Sequence, residues 1–355
     1  MTTRRTTARH TTGWALALAA ALTVTAGVVP SVRDALRTDQ VLSAAAHDDL
    51  PAEPLHLRPA HGPVAHLRTG TLQVPDLGGG AHRVRVGVVD PVGEPVADVL
   101  FLHGHADRLD NHAALFEDLR AAGVRVVSFD LPSHGATDAG AIDRWSFDDL
   151  GALAARVAHA TEQDPDRPFV LAGWSFGGLL ATRSVQEPAI RAAFGRPVAG
   201  LALESPAVAP LPFAGGDGVS RLRALTHDLS APVAGPPRPA SPFLDPVFAG
   251  RLVAQAAVAA NEPLPAGMPA LVEVGGDDED RYVDVPAVRR WAEDVAPRDG
   301  AQVRTVRCAG ARHGLDIESW PVGDAARADL VDFVRGAAGA PVTTTRHHEG
   351  GAACE

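Results

Sequence analysis

A serine set between glycines, a late histidine and a run of carboxylates are the residues of this chain whose types and spacing could do chemistry. Phe169-Val170-Leu171-Ala172-Gly173-Trp174-Ser175-Phe176-Gly177-Gly178 reads as a buried strand running straight into Gly-x-Ser-x-Gly, a nucleophile elbow. Gly173 and Gly177 would let strand and helix backbones approach while the Ser175 hydroxyl is pushed into a pocket. A serine hydroxyl is a poor nucleophile near neutral pH. It needs an imidazole to take its proton and a carboxylate to hold that imidazole in one tautomer.

The chain supplies both groups in order. His313 lies in Gly310-Ala311-Arg312-His313-Gly314, after the last predicted strand, which is the position of a base. The loop Gly275-Gly276-Asp277-Asp278-Glu279-Asp280-Arg281-Tyr282-Val283-Asp284 offers the acid. Counting forward from Pro269 along the strand selects Asp278; counting back from the next helix selects Asp280. The reading adopts Asp280 with Asp278 as the alternative, and gives Asp284 to the helix cap. A tetrahedral intermediate needs two backbone N–H groups. Phe176 offers one at the start of the helix after the elbow, and His105 offers the other in Leu102-His103-Gly104-His105-Ala106. Alternating His103 and His105 without a carboxylate cluster do not define a metal site, so both are read as bracing the oxyanion loop. The chemistry asks for neither metal nor organic cofactor.

These residues need a mostly parallel sheet to position them. From about residue 69 short apolar runs alternate with helical stretches. A hairpin over Thr71 to Val74 and His82 to Val89 opens the pattern. Strands are predicted at Val99 to Leu102, Val124 to Phe129, Phe169 to Ala172, Leu201 to Leu203, Leu271 to Val274 and Val303 to Val306, giving eight in all. Helices are predicted near His112 to Ala122, Phe147 to Thr161, Phe176 to Val185, after Asp284, and from about Asp324. A Pro- and Gly-rich insertion, about 208 to 267, interrupts the rhythm after the sixth strand and reads as a cap over the pocket.

The 355 residues carry a formal net charge of −11, and all 32 basic residues are arginine. An acidic chain without a basic stripe excludes a nucleic-acid partner. Residues 1 to 30 read as an export signal: Arg4, Arg5 and Arg9 precede an apolar run from Gly13 to Val29, and Val24-Thr25-Ala26 suits cleavage. Uncleaved, residues 13 to 29 would be a membrane tether. The expected location is therefore secreted or cell-envelope associated. Residues 31 to 68 read as a linker, 69 to 337 as the catalytic domain, and 338 to 355 as a disordered tail. Pairing of Cys308 with Cys354 is left open.

Ser175, an acid near 280 and His313, in that chain order, resemble an α/β-hydrolase-fold serine hydrolase over residues 69 to 337. Leu102-His103-Gly104-His105-Ala106-Asp107-Arg108-Leu109-Asp110-Asn111-His112 resembles the oxyanion segment of the monoacylglycerol lipase and lysophospholipase branch, also called serine aminopeptidase-like hydrolases. Val127-Ser128-Phe129-Asp130-Leu131-Pro132-Ser133-His134-Gly135-Ala136-Thr137 resembles that branch's Asp-x-x-Gly-x-Gly-x-Ser turn, and Leu203-Glu204-Ser205-Pro206-Ala207 its sixth-strand ending. The chain differs in having Pro132 and Ser133 where Arg-Gly is usual, and Phe176 where methionine often follows the nucleophile. The resemblance implies an exported carboxylic ester hydrolase acting on a small acyl ester or lipid-like substrate. A peptidase of the same fold and a non-catalytic binding member are the alternatives it leaves.

Overall fold

Strand residues alternate sides, so a strand whose every position is apolar must be covered on both faces. Phe169–Trp174 is such a strand, buried at all six positions. Phe169 and Leu171 join one hydrophobic cluster, while Val170, Ala172 and Trp174 join the other on the opposite face. Ala97–Leu102 divides in the same way, with Leu100 and Leu102 on the first face and Val99 and Phe101 on the second. Each fully buried Leu or Phe contributes about 1.5–3 kcal/mol. The site is thus carried on the most heavily buried strands.

The computed structural model describes residues 55–211, 246–342 and 354–355. The predicted export segment, residues 31–54 of the expected linker and residues 212–245 of the insertion lie outside them. So do residues 343–353 of the tail. Among the described residues no helix is long and apolar enough to cross a membrane.

Among the described residues the sheet has nine strands rather than the expected eight: β1 Arg58–Pro59, β2 Leu67–Val74, β3 His82–Val89, β4 Ala97–Leu102, β5 Val124–Phe129, β6 Phe169–Trp174, β7 Val198–Glu204, β8 Pro269–Val274 and β9 Gln302–Arg307. Their order is β1-β2-β3-β5-β4-β6-β7-β8-β9. The first three pair antiparallel, and β5 onward is parallel. The extra strand is β1, whose Arg58 pairs with Thr69. The linker expectation for 31 to 68 is therefore corrected at its end, where two residues without periodicity form an edge by backbone pairing alone.

Helices α1 Ala113–Ala121 and α7 Val322–Ala337 cover one face; α2 Phe147–Thr161, α3 Phe176–Gln186, α5 Pro246–Asn261 and α6 Val285–Arg290 cover the other. Between α3 and β7 lies α4 Pro188–Ala193, a short helix absent from the sequence reading. Starts follow local chemistry. Ser146 and Asp149 form a reciprocal capping box on α2, and Asp284 accepts the Ala287 N–H at 2.9 Å to cap α6.

The expectation of a disordered tail is also corrected at its end. Cys354 is disulfide-bonded to Cys308, and Glu355 exchanges backbone hydrogen bonds with Arg307 at 2.6 and 2.8 Å. A covalent bond and backbone pairing with the edge strand β9 dock Cys354 and Glu355, residues whose surroundings in sequence carry no structural signal.

Candidate active site

Ser175 sits between β6 and α3 with φ 55° and ψ −117°, a left-handed conformation rare for a residue with a side chain. Close packing enforces it. A Cβ on Gly177 would come within 2.0 Å of the Leu102 carbonyl oxygen, and one on Gly173 within 2.5 Å of the Gly177 oxygen. Both flanking positions therefore exclude side chains. The Ser175 N–H donates to the Glu204 carbonyl at 2.9 Å, and its own carbonyl accepts from Ala207 and Leu179.

The structure brings Ser175, Asp280 and His313 together. Ser175 Oγ lies 2.7 Å from His313 Nε2, and His313 Nδ1 lies 2.8 Å from Asp280 Oδ2. Because an ionised carboxylate only accepts, Nδ1 carries the proton and Nε2 is left to accept the serine proton. Asp280 Oδ1 meanwhile accepts the backbone N–H groups of Tyr282 and Val283 at 2.8 and 3.2 Å. One oxygen of the carboxylate anchors it to its own turn and the other faces the imidazole. Asp278, the alternative acid, is exposed and makes no such contact, whereas Asp280 is buried.

The His313 loop is held from two sides. Trp174, the residue before the serine, donates its indole N–H to the His313 carbonyl at 2.8 Å, and the rings of Trp174 and Tyr282 stand 5.4 and 5.1 Å from the imidazole. Burial followed by the Asp280 charge raises the Tyr282 phenol above its ordinary pKa, so that ring remains neutral.

The loop that carries His105 also reaches the serine. A Cβ on Gly104 would lie 2.7 Å from the Trp174 ring and 3.1 Å from Ser175 Cβ, so the His105 loop runs directly over the elbow. Phe176 is the first residue of α3, where an amide has no intrahelical acceptor and the helix dipole favours negative charge. His103 braces this loop as expected. Its Nδ1–H donates to the Gly104 carbonyl at 2.8 Å, and its Nε2 accepts the Leu131 N–H at 3.0 Å. Burial lowers its pKa and keeps it neutral. His134 is a second brace that sequence reasoning missed: it accepts the N–H of Ala106, itself at φ 62°, at 2.9 Å.

The His105 ring instead meets Phe248 of α5, with centroids 4.6 Å apart, and Phe248 in turn lies 5.1 Å from Phe176. The end of the insertion thus reaches the reaction centre. Asp217, Asp228 and Asp245 of the insertion, carboxylates of the kind that would receive the amine of a peptidase substrate, lie outside the described residues. Among the described residues no group of three or more His, Cys, Asp or Glu side chains is arranged to hold a metal ion.

Several ionisable residues behind the site were also missed. Glu204, the last residue of β7, and Glu273, the last but one of β8, pair in register and are buried. Burial, then the charges of Asp316 and Glu273, pushes Glu204 well above the ordinary carboxylate range; burial, then Asp329, does the same to Glu273. The one available signal was a carboxylate at or next to the end of an otherwise apolar run in Leu201-Ala202-Leu203-Glu204 and Leu271-Val272-Glu273-Val274.

Residues 99–339 match the family model described as Alpha/beta hydrolase family. The chain belongs to the alpha/beta hydrolase family. Solved structures place it in the same fold. This alpha/beta hydrolase is 20% identical to a lipase in its open form, covering 72% of this chain and 95% of that one with a TM-score of 0.53. A soluble variant of monoglyceride lipase from Saccharomyces cerevisiae is 17% identical, with 74% and 95% covered and a TM-score of 0.53. A thermostable carboxyl esterase from Bacillus coagulans is 17% identical, with 76% and 99% covered and a TM-score of 0.54. A comparison with curated proteins gave no match.

Proposed function

We propose that this chain is a serine-dependent carboxylic ester hydrolase of the monoacylglycerol lipase and esterase type. The observation that carries the reading is the unbroken hydrogen-bond chain from Ser175 Oγ through His313 to Asp280, built on a strained elbow at the C-terminal edge of the sheet. The lipase, monoglyceride lipase and carboxyl esterase that share the fold support the ester class.

In the first step Ser175 Oγ bonds to the acyl carbonyl carbon while its proton passes to His313 Nε2. The carbonyl electron pair moves onto oxygen, where the amides of His105 and Phe176 receive it. Asp280 steadies the imidazolium without taking its proton. Collapse breaks the ester C–O bond, and His313 returns the proton to the departing alcohol. Water, deprotonated by His313, then cleaves the acyl-serine and restores the hydroxyl. The aromatic rings of Phe147, Phe176 and Phe248 form a wall beside this centre. An apolar acyl chain is the substrate portion they suit. The enzyme works outside the cytoplasm, exported by residues 1 to 30 and tethered through 13 to 29 if that segment is kept.

The test is turnover of p-nitrophenyl esters from two to sixteen carbons and of a monoacylglycerol by protein lacking residues 1 to 30. Ser175→Ala is expected to lower kcat by about 10⁴-fold or more. Phe248→Ala is expected to move the acyl-length optimum toward longer chains. Silence on esters with cleavage of aminoacyl amides would transfer the reading to a peptidase.

A further inference from the structure

A second histidine–carboxylate constellation lies behind the first. His112 is fully buried, and both ring nitrogens face aspartates: Nδ1 to Asp316 Oδ2 at 2.7 Å and Nε2 to Asp107 Oδ2 at 2.8 Å. Carboxylates accept and do not donate, so both nitrogens must carry protons and the ring is an imidazolium. Burial opposes that charge, but Asp316 and Asp107 outweigh it and hold the pKa well above the ordinary histidine value.

The two partners belong to the two loops that the reaction needs. Asp107 comes two residues after His105 in the oxyanion loop, and Asp316 comes three after His313. Each is secured independently of His112. Asn111 donates to Asp107 Oδ1; the Asp316 N–H donates to Glu204 Oε1 at 2.6 Å, and Arg327 of α7 donates to the Asp316 carbonyl at 2.7 Å. The His112 ring also packs 5.7 Å from Trp174, whose indole N–H holds the His313 carbonyl. Around this ring the charged and titratable groups are Asp107 and Asp316 in contact, His103 and Glu204 beyond them, and Arg327 of α7 with its carboxylate partners Asp118 of α1 and Asp324. The rings of Phe101 and Phe116 also pack beside it, with centroids 4.5 and 6.2 Å away.

We propose that His112 is a positioning residue for the reaction, a clasp that bonds the oxyanion loop at one ring nitrogen and the catalytic-histidine loop at the other. This rests on the ester-hydrolase reading of Ser175 and His313. The clasp fixes the separation between the amide that receives the oxyanion and the imidazole that moves the proton. A displacement of about 1 Å between such groups costs on the order of 10²-fold in rate. A neutral imidazole donates from one nitrogen only, and a glutamine at 112 carries its two N–H donors on a single nitrogen, so neither spans the two carboxylates as the imidazolium does.

The experiment compares wild type, His112→Gln and the double variant His112→Gln/Asp316→Asn. Active sites are counted by titration with a fluorophosphonate, so misfolded protein does not enter the rate. His112→Gln should lower kcat per titrated site by about 10²-fold, with KM within about threefold because ground-state binding is little altered. In the double variant the amide introduced at position 316 can donate to the amide oxygen introduced at position 112, and recovery of at least tenfold is expected. Nitrogen-15 spectra of the histidine rings at pH 7.5 should show His112 protonated at both nitrogens. A kcat within twofold of wild type for His112→Gln, or a singly protonated His112, would overturn the proposal. If wild type labels at Ser175 but cleaves no ester, the substrate reading fails alone, and the labelling rate replaces kcat as the measure of the clasp. An inert wild-type Ser175 would overturn both.

Discussion

His313 and His112 invite comparison because each is a buried imidazole with an aspartate on Nδ1, and both pack against Trp174. They part at Nε2. In His313 that nitrogen faces a serine hydroxyl at 2.7 Å, a group with a proton to give. In His112 it faces a second carboxylate at 2.8 Å, a group with none. One carboxylate leaves a histidine able to gain and lose a proton during a reaction; two hold it charged and turn it into a strut. The same side-chain types thus give a proton shuttle or a clasp according to what the second nitrogen meets.

The comparison breaks most severely at Asp280. Asp280→Asn is expected to lower kcat on a p-nitrophenyl ester by about 10⁴-fold, because an amide facing Nδ1 favours the wrong imidazole tautomer. Asp278→Asn, in the same loop but exposed, should stay within about twofold of wild type. Equal losses from the two would show that the loop's charge, and not the single bond to His313, matters. The His112→Gln loss, about 10²-fold, is smaller because it moves the loops without removing a reacting group.

The smallest effect is on stability and its pH dependence. The fold retains a proton on Glu273 that the unfolded chain releases above about pH 4.3. Stability therefore falls as pH rises through the interval between the unfolded and the folded pKa. His112 adds to the same alkaline fall: its contribution is complete below about pH 6.5 and is lost as pH climbs through its raised folded value. Glu273→Gln should raise Tm at pH 8, by about 2–4 °C for each kcal/mol removed, and leave Tm at pH 4 unchanged. Thermal scans across this range check it, and a variant less stable at pH 8 would mean that Glu273 is held by bonds as a carboxylate.

Much of this architecture was legible because apolar runs and glycine spacing encode it. The strand before Ser175 and the cap at Asp284 follow local rules of burial and hydrogen bonding. The elbow was visible because only glycine fits at positions 173 and 177. Asp278 and Asp280 could not be separated by counting, since the choice depends on a turn in which Asp280 Oδ1 binds two amides of its own loop. His112 with Asp107 and Asp316, and His134 under Ala106, left no pattern in the chain. Their partners are distant in sequence or meet only in the folded loops. The ninth strand and the docked Cys354 escaped for a related reason, because backbone pairing and a disulfide have no hydrophobic period.

The most direct test of the account is the site of covalent capture by a fluorophosphonate, read by intact mass and peptide mapping. The account predicts one adduct per chain, on Ser175, absent in Ser175→Ala and formed far more slowly in Asp280→Asn. An adduct on another residue, or a Ser175 that labels equally fast without Asp280, would contradict it.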